Sequence, residues 1–109
     1  MLKRNERSLE KYMVAGAYLR LYKTLGAKLV SNISGVLSKE DQEKLIQIMK
    51  RIDEVCSKVE DELLRDYPDL SNEYIDVFYG SADLSPRNDV DRQVMAIARK
   101  AAEKLFTGD

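Results

Sequence analysis

Along nearly the whole chain apolar residues recur every three or four positions, and no stretch alternates with period two, so the pattern predicts helices and no strand. The first stripe runs through Leu9, Met13, Gly16, Leu19, Tyr22, Gly26, Val30 and Ile33, with Asn5 or Ser8 placed to cap its start. A second stripe, Val14, Tyr18, Leu21, Leu25 and Leu29, lies beside it, and Arg20, Lys23, Thr24, Lys28 and Ser31 fill the remaining face. An apolar surface this wide predicts a helix covered on two sides. Interior glycine costs roughly 1 kcal/mol against alanine in a helix, so Gly16 between two alanines and Gly26 predict close approach of a neighbour.

The pattern breaks at "SNISGVLSKED", where Gly35 suits a left-handed helix end and Ser38 with Asp41 approximates a capping box. A second helix follows on Leu45, Met49, Ile52, Cys56, Val59 and Leu63, a seam widened by Ile48 and Val55. The short connection makes helices 1 and 2 an antiparallel hairpin. Pro68 disfavours a helical Tyr67, which predicts a stop near Asp66. Residues 71–79 read as a short third helix ended by Gly80. Ser85 then caps a last helix with Pro86 in its first position, Asp89 and Asp91 near its positive end, and Val90, Val94, Ile97, Ala101 and Leu105 as its stripe. The predicted fold is all-α, one domain over residues 1–109, in a four-helix, bundle-like arrangement. A long antiparallel hairpin carries a short helix across one end and a C-terminal helix along its groove.

A chain of 109 residues with 44% apolar composition is long enough to bury a single core without a disulfide or metal staple. No stretch approaches the roughly 18 uncharged apolar residues of a membrane span. The run from Tyr12 to Leu19 is too short for a signal peptide and follows Glu6 and Glu10, so none is expected. Cys56 is the only cysteine, and a cytoplasmic protein is the simplest expectation.

The chain has no histidine, which removes the commonest general base and transition-metal ligand together. With one cysteine, zinc, haem and Cys/His nucleophile sites are excluded as well. In the seam of helix 2, Cys56 reads as a small buried hydrophobe. The carboxylates remain. Glu40 with Glu43, and Glu73 with Asp76, are each three residues apart and so share a helical face. Four such groups suit Mg²⁺ completed by substrate phosphates. This ExxE…ExxD pattern resembles that of the MazG-like all-α nucleoside triphosphate pyrophosphohydrolases, and the resemblance implies a metal site on those four acids. The chain departs from that family in that Gly80 closes the second pair's helix only four residues after Asp76. Glu40 and Glu43 also sit in a first turn, where acids complement the helix dipole. The expectation is therefore no catalytic residue, no metal and no cofactor, with the pyrophosphohydrolase as the alternative.

A net charge of −1 conceals an asymmetry: residues 1–38 carry +5, residues 39–66 carry −3, residues 67–91 carry −5 and residues 92–109 carry +2. Such a distribution steers association with a charged partner or with a second copy. An isoelectric point near 5.6 and the lack of an isolated basic stripe argue against direct nucleic-acid binding. The acidic segment 65–83 holds Tyr67, Tyr74, Phe78 and Tyr79, four of the eight aromatic residues, among Asp66, Asp69, Glu73, Asp76 and Asp83. Tyr74 and Phe78, aligned with Ile75, are expected to pack against the hairpin. Tyr67 and Tyr79, with Asp69, Glu73 and Asp76, are expected to form a binding surface for a protein with a basic face. The function this implies is a non-enzymatic interaction module, an adaptor or an inhibitor of a nucleic-acid-handling protein, working as a homodimer.

Overall fold

In the computed structural model, which describes residues 2–80 and 85–107, Ser8 starts the first long helix, its hydroxyl accepting the Lys11 N–H at 3.2 Å. Helix α1 runs Leu9–Ile33, preceded by one 3₁₀ turn, Arg4–Glu6. Its end tightens into a second 3₁₀ turn, Ser34–Val36. Gly35 is not left-handed there, contrary to the sequence expectation. The turn is fastened instead by Gln42 of the next helix, whose side-chain amide donates to Ser34 O at 2.8 Å and to Leu37 O at 3.2 Å. Helix α2, Lys39–Asp66, begins where Ser38 accepts the Asp41 N–H at 3.1 Å. It stops one residue before Tyr67, as Pro68 requires.

The segment predicted as a third helix is a single 3₁₀ turn, Asn72–Tyr74, continued by hydrogen-bonded turns through Tyr79. An α-helix would align Tyr74, Ile75 and Phe78. The turns instead send the consecutive Val77 and Phe78 inward, 1% and 0% exposed, and leave Ile75 outside at 55%. The last helix, α3, spans Asp89–Lys104 with Asn88 as its cap, its side chain accepting the Asp91 N–H at 2.8 Å. Ser85 and Pro86 are outside it, because Asp91 turns back to accept the Arg87 N–H at 2.9 Å and holds the approach non-helical. Its buried side is Val90, Asp91, Val94, Met95 and Ala98, while Leu105 of the predicted stripe is exposed. Residues 81–84, including Asp83 and most of the predicted loop, lie outside the described residues.

The architecture is all-α, with two long helices and a C-terminal one packed around a shared core. Tyr12, Met13 and Ala17 of α1, Cys56 and Leu63 of α2, Val77 and Phe78, and Val90, Val94 and Ala98 of α3 form that core. It lies toward one end of the hairpin. No residue in 27–55 is buried, so the hairpin tip continues beyond the core as a two-helix prong, in a molecule 47 × 28 × 28 Å. The two interior glycines of α1 work as predicted in part. A Cβ on Gly26 would stand 2.5 Å from the Met49 thioether of α2. At Gly16 the close neighbour is no helix but the backbone and side chain of Val77, each 2.6 Å away.

Candidate functional site

Two polar fasteners organise the body. The first centres on Asp66, at the end of α2, whose side chain is 2% exposed. Arg4 Nε and Arg7 Nε stand 3.1 Å from its two oxygens, and the Tyr12 hydroxyl donates to Oδ2 at 2.5 Å. Burial, with the bond to Asp66 second, pushes the Tyr12 phenol up to about 12. Arg7 also reaches Glu62 at 2.9 Å, and the Tyr67 hydroxyl donates to the Arg7 carbonyl at 2.8 Å. The Tyr12 and Tyr67 rings meet edge to face with centroids 6.3 Å apart. Together these groups bind the start of α1 to the end of α2.

The second fastener is Arg20, which the sequence placed on a solvated face and the structure buries to 2% exposure. Its Nη1 meets Asp91 Oδ1 at 2.5 Å, its Nε donates to Val77 O at 2.8 Å and its Nη2 to Asp76 O at 2.6 Å. Burial alone would push the Asp91 carboxyl up. The Arg87 amide and the Arg20 guanidinium outweigh it and hold that carboxyl below its ordinary value. A Cβ on Gly80 would fall 2.5 Å from the guanidinium carbon, so only glycine lets the chain pass over it. The fork of Arg20 thus ties α1 to the 76–80 turn and to α3. The predictive signal was one basic residue, three after Ala17, on the line of the buried Met13, Gly16 and Ala17.

The residues chosen from sequence as a partner surface divide among separate tasks. Tyr67 belongs to the first fastener. Asp76 lends its carbonyl to Arg20 and its carboxylate to Arg87 at 3.0 Å. Tyr79 shares that turn, its N–H on Asp76 O at 3.1 Å, and lies 41% exposed with the Lys23 ammonium 5.0 Å from its ring centre. Asp69 and Glu73 are exposed. Of the four acids in the pyrophosphohydrolase pattern, Glu40 and Glu43 line a shallow surface depression with Lys44, Gln47, Ile48 and Arg51, in which Glu73 and Asp76 take no part. Among the described residues no group of three or more acidic, cysteine or histidine side chains is arranged to hold a metal ion. Cys56 is fully buried, and burial pushes its thiol up.

Among the described residues a long apolar stripe is left uncovered, the second stripe of α1. Val14, Tyr18, Leu25 and Leu29 are 36%, 55%, 60% and 44% exposed, and Tyr22, assigned from sequence to the other stripe, joins them at 47%. At 3.6 residues per turn these five and the half-exposed Leu21 fall within an arc of roughly 100°. The expectation that α1 is covered on two sides is not met within one chain, since α2, α3 and the 76–80 turn all pack on the side opposite this arc. Ile48 and Val55 of α2 are also exposed, on the flank of α2 turned away from Asp53, which pairs with Lys23 at 3.3 Å.

The chain matches no family model, and neither a curated protein nor a solved structure matches it significantly. No helix among the described residues is long and apolar enough to cross a membrane.

Proposed function

We propose that this protein is a non-enzymatic helical interaction module, an adaptor or inhibitor of the cytoplasm, that binds a protein partner through the open face of α1. The observation that carries this reading is the exposure of Tyr18, Tyr22, Leu25 and Leu29 on one face of a helix whose opposite side carries its buried residues, Tyr12, Met13, Gly16, Ala17, Arg20 and Gly26. Contiguous apolar patches of this kind, with tyrosines among them, mark interaction sites. The acidic segment contributes at a distance: exposed Asp69 and Glu73 add to a local negative field that would steer a basic partner. The sealed, lone thiol of Cys56 suits a reducing compartment. The assignment to binding over catalysis draws on where the carboxylates are engaged, Asp76 with Arg87 and Glu40 beside Lys44.

The test is photo-crosslinking in living cells with a benzophenone side chain placed at Leu25, and at exposed Gln93 of α3 for comparison. Discrete protein adducts at position 25 that are missing at position 93 support the docking face. Equal labelling at both positions, or none at 25, overturns it. Turnover of a nucleoside triphosphate to pyrophosphate with Mg²⁺, abolished by Glu73→Gln, would replace it with the enzyme.

A further inference from the structure

The open stripe has a symmetry of its own. Read from the N-terminal end, Val14, Tyr18, Leu21, Tyr22, Leu25 and Leu29 are spaced 4, 3, 1, 3 and 4, and the series is the same read backward. An interface between identical subunits related by a two-fold axis must be self-complementary, with residue i meeting j and j meeting i. Two antiparallel helices with this spacing satisfy the condition at every apolar position. Val14 meets Leu29, Tyr18 meets Leu25 and Leu21 meets Tyr22, each twice, about an axis passing between residues 21 and 22.

Resting on the reading of the α1 stripe as a docking face, we infer that its occupant is a second copy of this chain, packed α1 against α1 in antiparallel register centred on Leu21 and Tyr22. The charges permit this register. Lys28 stands opposite Ala15 and Lys11 opposite Asn32, and Arg20 and Lys23, which share a level, lie on the far side of α1 and pair with Asp91 and Asp53 within their own chain, so no like charges meet across the interface. The two Lys28 side chains lie on the same edge of the interface but 13 positions apart, roughly 20 Å along the helices and beyond a Debye length. The area suffices as well. From the exposures given above, the five side chains alone offer on the order of 500 Å², more than half of the roughly 800 Å² per partner of a stable interface, before the neighbouring Ala15, Leu21 and Lys28 are counted. Two tyrosines near the centre of the patch are the residue type that dominates such contacts.

The experiment uses the full chain in three forms. Sedimentation equilibrium at micromolar concentration is expected to show a dimer, and Leu25→Glu is expected to weaken it by roughly 100-fold or more, because the substitution enters the interface twice. Leu25 is 60% exposed in the monomer, and an unchanged helical circular dichroism spectrum shows that the variant still folds. Register is read by oxidation. Tyr22→Cys lies next to the axis and is expected to form an intermolecular disulfide, whereas the two copies of Leu29→Cys sit 15 positions, roughly 22 Å, apart and cannot. The unsubstituted chain, whose Cys56 is 0% exposed, is the control. A dimer with a Tyr22→Cys crosslink and none at Leu29→Cys supports the proposal. A strict monomer overturns the second copy as occupant, and if the position-25 adducts in cells persist they then belong to a different protein. A dimer that crosslinks through Leu29→Cys, or that Leu25→Glu leaves intact, overturns the interface.

Discussion

Arg20 Nη1 lies 2.5 Å from Asp91 Oδ1 with both side chains buried, 1% and 5% exposed, so the middle of α1 and the first turn of α3 are joined by a fully desolvated ion pair. Such a pair repays its desolvation only when the remaining donors and acceptors are satisfied. Here the Asp76 and Val77 carbonyls accept from the guanidinium and the Arg87 amide donates to the second carboxylate oxygen.

Removing one partner of that pair strands the other. Asp91→Ala is expected to cost about 3 to 5 kcal/mol in urea unfolding, and Arg20→Met a similar amount. The double variant Arg20→Met with Asp91→Leu is expected to cost much less than the sum of the two, because no buried charge remains.

The same carboxylate sets the response to acid. Its folded pKa lies below the ordinary 3.8, so the stability it adds is complete above that value and is lost as pH falls through the folded pKa. Below pH 3.8 the wild-type chain should therefore lose stability more steeply than Asp91→Asn, a difference that denaturant midpoints measured across the acid range will show.

Tyr12 sets a limit at the alkaline end. Burial and the bond to Asp66 raise its phenol from 10.0 to about 12, so the neutral phenol stabilises the fold fully below pH 10.0, and that contribution disappears between 10.0 and about 12. Ultraviolet titration should show a phenol ionising only near pH 12, together with loss of helicity. In Tyr12→Phe that late phenol should be absent.

The aromatic residues of the acidic segment separate by burial. Phe78→Ala, at 0% exposure, is expected to cost about 3 to 5 kcal/mol, as core aromatic truncations do. Tyr67→Phe should cost about 1 kcal/mol through the lost bond to the Arg7 carbonyl. Tyr79→Ala should leave the melting temperature nearly unchanged, and thermal melts of the three single variants decide the order.

These assignments show where sequence reasoning carried and where it stopped. The caps at Ser8 and Ser38 and the stop before Pro68 are local, settled by side chains within a few residues of the backbone they serve, and they were legible. The 76–80 turn was not. Its path is set by Arg20, 56 and 57 residues away in sequence, which needs the Asp76 and Val77 carbonyls as acceptors. The start of α3 lies later for a related reason, since Asp91 is held inward by Arg20 and accepts the Arg87 N–H, which a helix capped at Ser85 would have offered to that cap. Of the candidate surface, the wide apolar character of α1 was readable from its two stripes. Which stripe stays open depended on where α3 packs, and only the fold decides that.

The prong formed by residues 27–55 has a dynamic consequence. With no buried residue and neither polar fastener reaching into it, its amides should exchange with solvent through openings that leave the rest of the molecule folded. Protection should rise from the tip at Gly35 toward Cys56 along α2 and toward Ala17 along α1. Leu25 and Leu29 lie on the less protected half of the stripe. Whatever covers them must also quiet the helix that presents them, so occupancy of the face should register as slowed exchange at the distant tip, where no contact is made.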